Sequence, residues 1–388
     1  MARKLTGGED FAGLKTAEKT LPGRAYCDPA VYARELDNIW HRQWIYLCRS
    51  DALAGPGSYR TETIAAQSVL LLRDEAGTLR AFHNTCRHRG SLLCREQAGR
   101  LGGERIVCPY HQWAYDLQGR LVRTSSLSEA PDFSTADYPL YDIAVREWRG
   151  CVFVCLSDDP PQDLSAFRGG GDHTDNWPLA ELAVGHAWCK TVACNWKVFW
   201  ENFNECLHCP NVHPELSRLV PIYRRRIILP QDDPDWRRHE GSADPKHRGG
   251  LKAGAETWSG DGKVHGPRFE GLSAAERAAG QRYYVNTPSV YIAAHVDYMR
   301  IVRVLPRGPE QTELRAEWLF PPATLEDPAF DLANVVEFGT LVLEQDGTAS
   351  EVNQQGLRSI RHETGVLMPE EHYVADFHRW YRKAMGEG

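Results

Sequence analysis

The sequence predicts an α+β protein in two parts: an all-β N-terminal domain, then a domain of antiparallel strands and helices. Three observations carry this reading. Cys and His occur in two short paired clusters, Cys86/His88 and Cys108/His111. Short strands punctuated by turns surround both clusters. Strand-like stretches return between Tyr283 and Phe320, and an amphipathic helical pattern follows from Asp327.

Taken in order, residues 1–25 are polar and punctuated by Gly, an N-terminal arm. Asp28 caps a helix that Pro29 opens, with Val31, Tyr32, Leu36, Ile39 and Trp40 on its apolar side. Residues 1–40 are therefore assigned as an arm and helix packing on the catalytic domain. Trp44–Leu47 reads as the strand entering the first domain, 41–157. Val69–Arg73 and Leu79–Asn84 flank the turn Asp74-Glu-Ala-Gly77, and Gln112–Tyr115 and Arg120–Val122 flank Asp116-Leu-Gln-Gly119. Both hairpins border a Cys/His cluster, so both ligand loops hang from strand ends, which suits a rigid metal site. Cys151–Leu156 closes the domain, and 158–180, rich in Pro, Gly and Asp, is the linker.

The second domain, 181–388, begins near Leu182. Asn195 caps a helix from Trp196 to about Cys209, where Pro210 ends it. Residues 231–282 are polar and broken by Gly and Pro, and are read as a long active-site flap. Tyr283–Val285, Ser289–Ala294, Tyr298–Leu305 and Thr312–Phe320 read as antiparallel strands with apolar and polar residues alternating. Asp327-Pro328 opens a helix with Leu332, Val335, Val336, Gly339, Val342 and Leu343 along one face, and a short helix ends the chain near Trp380-Tyr381.

Cys86-x-His88 and Cys108-x-x-His111 are separated by 108 − 88 − 1 = 19 residues. Thiolates suit zinc or iron–sulfur clusters, and a mixed zinc site is the alternative to an iron cluster here. A zinc finger keeps its two Cys in one knuckle, whereas each knuckle here carries one Cys and one His. The Cys pair can bind one iron and the His pair a second, the ligand set of a Rieske [2Fe–2S] centre. Cys86-Arg-His-Arg-Gly90 and Cys108-Pro-Tyr-His-Gln-Trp113 resemble Rieske loops. Respiratory Rieske proteins brace these loops with a disulfide, and the positions that resemble its Cys are Ser91 and Tyr110. The cluster therefore resembles the lower-potential kind of oxygenases and their ferredoxins.

Glu205-Cys-Leu-His208-Cys-Pro-Asn-Val-His213 carries the second site. Glu205 and His208, at i, i+3, share a helical face. His208 and His213 would lie about 140° apart on a continuous helix, and Pro210 breaks it so that His213 can return towards His208. A carboxylate from elsewhere would complete the 2-His-1-carboxylate triad of non-haem Fe(II) oxygenases. The apolar stripe after Asp327 continues onto Asp346, a core-facing acid that needs a partner or a metal. Glu344 and Glu351 are the other candidates. Cys206 and Cys209 are read as packing residues, and Cys27, Cys48, Cys151, Cys155, Cys189 and Cys194 as small buried hydrophobes.

The pattern Asn202-x-x-Glu205-x-x-His208-x4-His213, with Glu344-Gln-Asp346 and Glu351-x-Asn353-Gln354-x-Gly356-Leu357, resembles the α subunits of Rieske non-haem iron oxygenases. The resemblance implies a helix-grip catalytic domain and His208, His213 and Asp346 as iron ligands, with Asn202 near the iron. It also implies O2 as co-substrate and NAD(P)H electrons delivered by a separate flavin/iron–sulfur reductase, directly or through a ferredoxin. In this family a head-to-tail homotrimer brings one subunit's cluster to its neighbour's iron, with a carboxylate at the position of Glu205 as the bridge. Ring-hydroxylating dioxygenases generally have Asp there. Glu205, His295-Val-Asp-Tyr298 and Cys86-Arg-His-Arg-Gly-Ser91 look like the branch acting on quaternary ammonium compounds, which includes glycine betaine, carnitine and stachydrine oxygenases and choline monooxygenase. That implies monooxygenation and N-demethylation of a betaine-like substrate. Hydroxylation of an aromatic ring or aromatic carboxylate is the second reading, and a Rieske electron carrier without oxygenase activity the third.

The composition agrees with this reading and narrows the partners. At 42% hydrophobic, 25% charged and a formal charge of −7, the 388 residues describe an ordinary soluble, cytoplasmic chain with no basic arm for nucleic acid. No apolar run nears the 18 residues of a membrane span. Eleven Cys without a secretory context do not read as a disulfide scaffold. Gly169-Gly-Gly171 lacks a nucleotide-binding setting, so the reductase is a separate protein.

Overall fold

A computed structural model describes residues 10–164 and 174–387. Residues 165–173 of the expected linker, including Gly169–Gly171, and residues 1–9 of the expected arm lie outside them. The described chain divides into two compact units, one spanning Ile39–Leu164 and the other formed by the remaining described residues.

The Ile39–Leu164 unit is entirely β apart from short turns. Leu79–His83, Gln67–Arg73, Ser58–Ile64 and Ala98–Arg100 form a four-stranded antiparallel sheet in that order. Arg105–Val107, Ala114–Asp116 and Leu121–Arg123 form a second sheet, and Ala144–Trp148, Cys151–Cys155 and Ile45–Arg49 a third. The two expected hairpin turns are built alike. Asp74 accepts from the Ala76 and Thr78 amides at 3.1 and 2.8 Å, and Asp116 from those of Gln118 and Arg120 at 3.0 and 2.9 Å. Gly77 and Gly119 then take positive φ of 78° and 85°, where a side chain would be strained. Leu70, Leu72, Phe82, Ile106, Tyr115 and Leu121 pack into one core that also encloses Cys86 and Cys108.

The larger unit wraps a five-stranded antiparallel sheet against one long helix. The strand order is Ala183–Val192, Gln311–Phe320, Met299–Gly308, Val290–Ala294, Arg282–Asn286. Ala183–Val192 is a strand that the sequence reading does not mark, because its apolar and polar residues do not alternate even though their exposure largely does. The alternation expected of the strands holds over the first half of Gln311–Phe320 but fails in Val290–Ala294, which is buried throughout. The long helix is Leu332–Leu357 and starts later than expected. Asp327 spends its carboxylate on the Ala329 amide in a turn, and Asp331 caps the helix through the Asn334 amide at 3.2 Å. Gly339 allows the helix to touch the sheet, since a Cβ there would lie 2.7 Å from the Arg300 guanidinium and 3.0 Å from Trp318. The 231–282 segment is packed down as short turns and helices, with Leu251, Trp258, Phe269 and Leu272 buried. No helix among the described residues is long and apolar enough to cross a membrane.

Asp28 caps the Pro29–Glu35 helix through the Ala30 amide at 2.8 Å, and that helix delivers a buried acid. Glu35 and Lys197 are both fully buried and paired. Asn195 also accepts from the Lys197 ammonium at 2.8 Å, while Trp196 and Tyr381 each donate to Glu35 at 2.8 Å. The network pins the N-terminal helix, the Trp196–Phe203 helix and the His372–Ala384 helix to one another. Removing one partner strands a buried charge, so Glu35→Ala should lose about 3–5 kcal/mol of stability. An unchanged denaturation midpoint in that variant would contradict the account.

Candidate metal centres

The two Cys/His loops are near copies. In the first, the Cys86 amide donates to the Ser91 carbonyl at 2.8 Å and the Gly90 amide to the Cys86 carbonyl at 2.9 Å. In the second, Cys108 donates to Trp113 at 2.8 Å and Gln112 to Cys108 at 3.0 Å. The residue that closes each turn has positive φ, 75° at Gly90 and 56° at Gln112. Cys86 and Cys108 are buried, whereas His88 is exposed and His111 half-buried. The imidazoles approach each other with ring centroids 4.7 Å apart, and Trp113 stacks on His88 at 4.7 Å. Burial pushes the Cys86 thiol up, a contact with Cys108 adds to this, and the Tyr115 hydroxyl at 3.3 Å opposes it. Arg89 lies over the exposed Tyr110 ring.

The second centre is assembled from a turn and the long helix. The Trp196–Phe203 helix stops at Phe203, short of the expected Cys209. Asn204 ends it by turning its side-chain amide onto the Trp200 carbonyl at 2.7 Å, competing with the backbone ladder. Pro210 lies in the first turn of a new short helix, Cys209–Val212, instead of ending an old one. Glu205 and His208 therefore do not share a helical face. The turn still brings them together, with His208 Nδ1 bonded to a Glu205 oxygen and the other oxygen held by the Leu207 amide. Cys206 and Cys209, read as packing residues, are joined by a disulfide across this turn, their Cα atoms 4.9 Å apart as such a bond requires. Both also sit in an apolar cluster with Leu216, Trp258 and Phe338. Two other Cys depart from the expected burial: Cys189 is exposed and Cys27 half-buried.

His208, His213 and Asp346 present one ligand atom each, all within 4.8 Å of one another. His213 Nε2 lies 2.7 Å from the Asp346 carboxylate and His208 Nε2 3.6 Å. The competing acids are engaged elsewhere: Glu344 pairs with Lys190, and Glu351 accepts from the Ala193 amide at 3.0 Å. Asn202 is in the last turn of its helix, and among the described residues its side chain makes no hydrogen bond to the three.

The backs of both imidazoles are held, a feature the sequence reading misses for His213. Its Nδ1 meets Gln345 Oε1 at 2.8 Å, and Gln345 Nε2 donates to Glu215 at 3.1 Å. A carboxylate only accepts, so Glu215 fixes the amide orientation and leaves the Gln345 oxygen facing His213. His213 must then carry its proton on Nδ1, which turns the Nε2 lone pair towards Asp346 and His208. Gln345 stands beside Asp346 in the sequence, but nothing in the sequence marks its partner Glu215.

The donor sets fit the groups expected of them. In the first centre the two thiols contact each other and the two imidazoles face each other, which fits the separate Cys and His pairs of a Rieske centre. In the second, burial would lower His208, but bonds from Asp346 and Glu205 raise it to about 10. Burial would raise Asp346, and its bonds to His208 and His213 hold it below the usual carboxylate range. A raised His208 facing a lowered Asp346 marks a site with a place for positive charge, which suits a divalent cation whose binding would displace the His208 proton.

Comparisons with known proteins agree with this architecture. Residues 43–139 match the Rieske [2Fe-2S] domain family, and residues 179–387 match the ring hydroxylating alpha subunit (catalytic domain). The chain is 28% identical to the glycine betaine monooxygenase oxygenase subunit of Chromohalobacter salexigens, covering 97% of this chain and 88% of that one. It is 25% identical to chloroplastic choline monooxygenase of Beta vulgaris, covering 94% and 77%. A solved structure of the quaternary ammonium Rieske monooxygenase CntA with an inhibitor superposes with a TM-score of 0.70 at 20% identity, covering 99% of this chain and all of that one.

Proposed function

The chain belongs to the ring-hydroxylating alpha subunits, Rieske non-haem iron oxygenases, and from that premise we propose that it N-demethylates a betaine-like quaternary ammonium compound. We assign the [2Fe–2S] cluster to Cys86, His88, Cys108 and His111, and the mononuclear iron to His208, His213 and Asp346. When bound, the cluster supplies single electrons and the iron activates O2. The chain's own task is to aim and hold these donors. Glu205 and Gln345 fix the two imidazoles from behind, and Tyr115 donates towards the Cys86 sulfur.

The reaction balances with electrons from a separate NAD(P)H reductase. One oxygen atom enters an N-methyl C–H bond, and the other leaves as water with two electrons and two protons. The resulting carbinolamine loses its N–C bond to give formaldehyde, a tertiary amine and a proton. Aromatic side chains within electrostatic reach of Asp346 support the binding of a trimethylammonium group there. Phe203 and Tyr291 have ring centroids 4.3 Å apart, Tyr283 lies 5.7 Å from Phe203, and Tyr291 senses the Asp346 charge. A head-to-tail homotrimer is supported by the exposed Leu92 and Tyr110 beside the ligand loops, apolar surface available to a second copy.

The observation that carries this reading is the His208/His213/Asp346 triad in the same chain as a Rieske domain. The test is a panel of quaternary ammonium compounds and aromatic carboxylates with a surrogate reductase. O2 uptake matched by formaldehyde is expected with the former. O2 uptake with an aromatic acid and no formaldehyde would favour ring hydroxylation, and the absence of uptake with only two irons per chain would leave an electron carrier.

A further inference from the structure

Arg300 is the chain's unusual buried charge. It is 3% exposed and lies in no ion pair among the described residues. One guanidinium nitrogen donates to the Gly339 carbonyl at 3.2 Å, and the Trp318 ring lies 5.9 Å away, but Nε has no partner. Arg303, three residues along the same strand and equally buried, pairs with Glu313 at 2.9 Å. Buried guanidinium groups are ordinarily matched by carboxylates, because the fork of donors is costly to leave empty.

The surroundings of Arg300 indicate what completes it. Directly opposed residues across the sheet share a face, and one such line reads Tyr283, Ala293, Arg300, Trp318. The small side chain of Ala293 stands between Tyr283 and Arg300 in this line. The same face meets the long helix at Gly339, and Asp346 lies seven residues further along the same helical stripe, about 10 Å by helical rise. Tyr291 registers both ends: Asp346 pushes its hydroxyl up and Arg300 pulls it down, while burial holds it at about 12. A small molecule spanning that interval would have one end at the triad and the other at the guanidinium.

We infer that Arg300 is the anchor for a substrate carboxylate, so that the enzyme takes an amino-acid-like betaine in preference to a carboxylate-free compound such as choline. This rests on the quaternary ammonium reading and narrows it: the onium group meets the aromatic residues near the triad, and the acid group completes the Arg300 fork. Arg300 is here a specificity residue and takes no part in the oxygen chemistry.

The test compares wild type with Arg300→Gln and Arg300→Lys, using glycine betaine, carnitine, their methyl esters and choline. Binding is measured calorimetrically, and turnover by formaldehyde release. Unchanged iron content and cluster absorbance would establish that each variant is folded, and Arg300→Lys serves where Arg300→Gln is not. Loss of charge-assisted bonds should raise Kd and KM for the acids roughly 10- to 100-fold, with Lys less damaging than Gln. Values for choline and the esters should change less than about twofold. Equal weakening for acids and esters would make Arg300 a structural tie to Gly339 and overturn the inference, as would wild-type preference for choline. Should no quaternary ammonium compound be demethylated, the functional reading fails on its own. Calorimetry with benzoate-type acids then decides Arg300 separately, since binding lost in Arg300→Gln upholds the anchor and binding unchanged rejects it.

Discussion

Asp346→Ala should lose the mononuclear iron while the Rieske cluster remains. Iron content should fall from three atoms per chain to two, with the visible absorbance of the cluster unchanged and O2 uptake abolished. Asp346 is the group on which both imidazoles converge, at 2.7 Å from His213 and 3.6 Å from His208. Removing it leaves two neutral ligands and no anion to balance a divalent cation. Outer-shell changes alone cost about 10- to 100-fold in metal affinity, so losing the carboxylate itself should exceed about 100-fold. The two other acids considered as ligands are engaged elsewhere, Glu344 by Lys190 and Glu351 by the Ala193 amide. Asp346→Asn keeps shape and hydrogen bonding but not charge, and should give the same iron loss. Full mononuclear iron in either variant would move the assignment to another carboxylate. Metal titration of the stripped protein should also release protons, because His208 is raised to about 10 before metal binds. Affinity should therefore fall as pH is lowered from 8 to 6.

What was readable in the sequence follows from how local each feature is. Both Cys/His loops were legible because their donors lie within a few residues and their turns announce themselves by Asp, Gly and Pro. Asp346 was legible as an acid continuing an apolar helical stripe, a costly placement without a partner. The 204–208 turn was not, because helix periodicity runs on smoothly and only the Asn204 side chain, reaching back to Trp200, ends it. The Cys206–Cys209 bond depends on that same break, so misplacing the helix end hid the disulfide as well. Arg300 is less legible still. In an alternating strand a lone Arg reads as solvent-facing, and its burial follows only from the helix that covers the sheet at Gly339. Gln345 stood in plain view beside Asp346, but its meaning depends on Glu215, 130 residues away in the chain.

Glu205→Gln should leave both metal centres loaded and yet nearly stop the enzyme. Glu205 contacts His208 through one carboxylate oxygen and the Leu207 amide through the other, and it is partly exposed. A carboxylate offers about four acceptor positions, so those contacts leave capacity for a donor from outside the chain. An exposed His such as His88 on a second copy would supply one, which is how Glu205 could bridge the two centres between subunits. Gln is nearly isosteric, and its oxygen can still accept from His208 Nδ1, so iron retention is expected. Its amide cannot accept on both sides, so the outward bond is lost or reversed. Single-turnover experiments separate this from a simple loss of metal. With cluster and iron both present, reoxidation of the reduced cluster by O2 and substrate should slow by at least about 100-fold, the upper range for removing an outer-shell partner. Glu205→Asp keeps the charge but shortens the reach, and should fall between the two. Sedimentation should show the proposed oligomer intact, since a single side-chain bond is a small part of a stable interface. A Glu205→Gln enzyme that turns over normally with full metal content would reduce Glu205 to an orienting contact for His208. Iron loss with an unchanged rate per remaining iron would lead to the same conclusion.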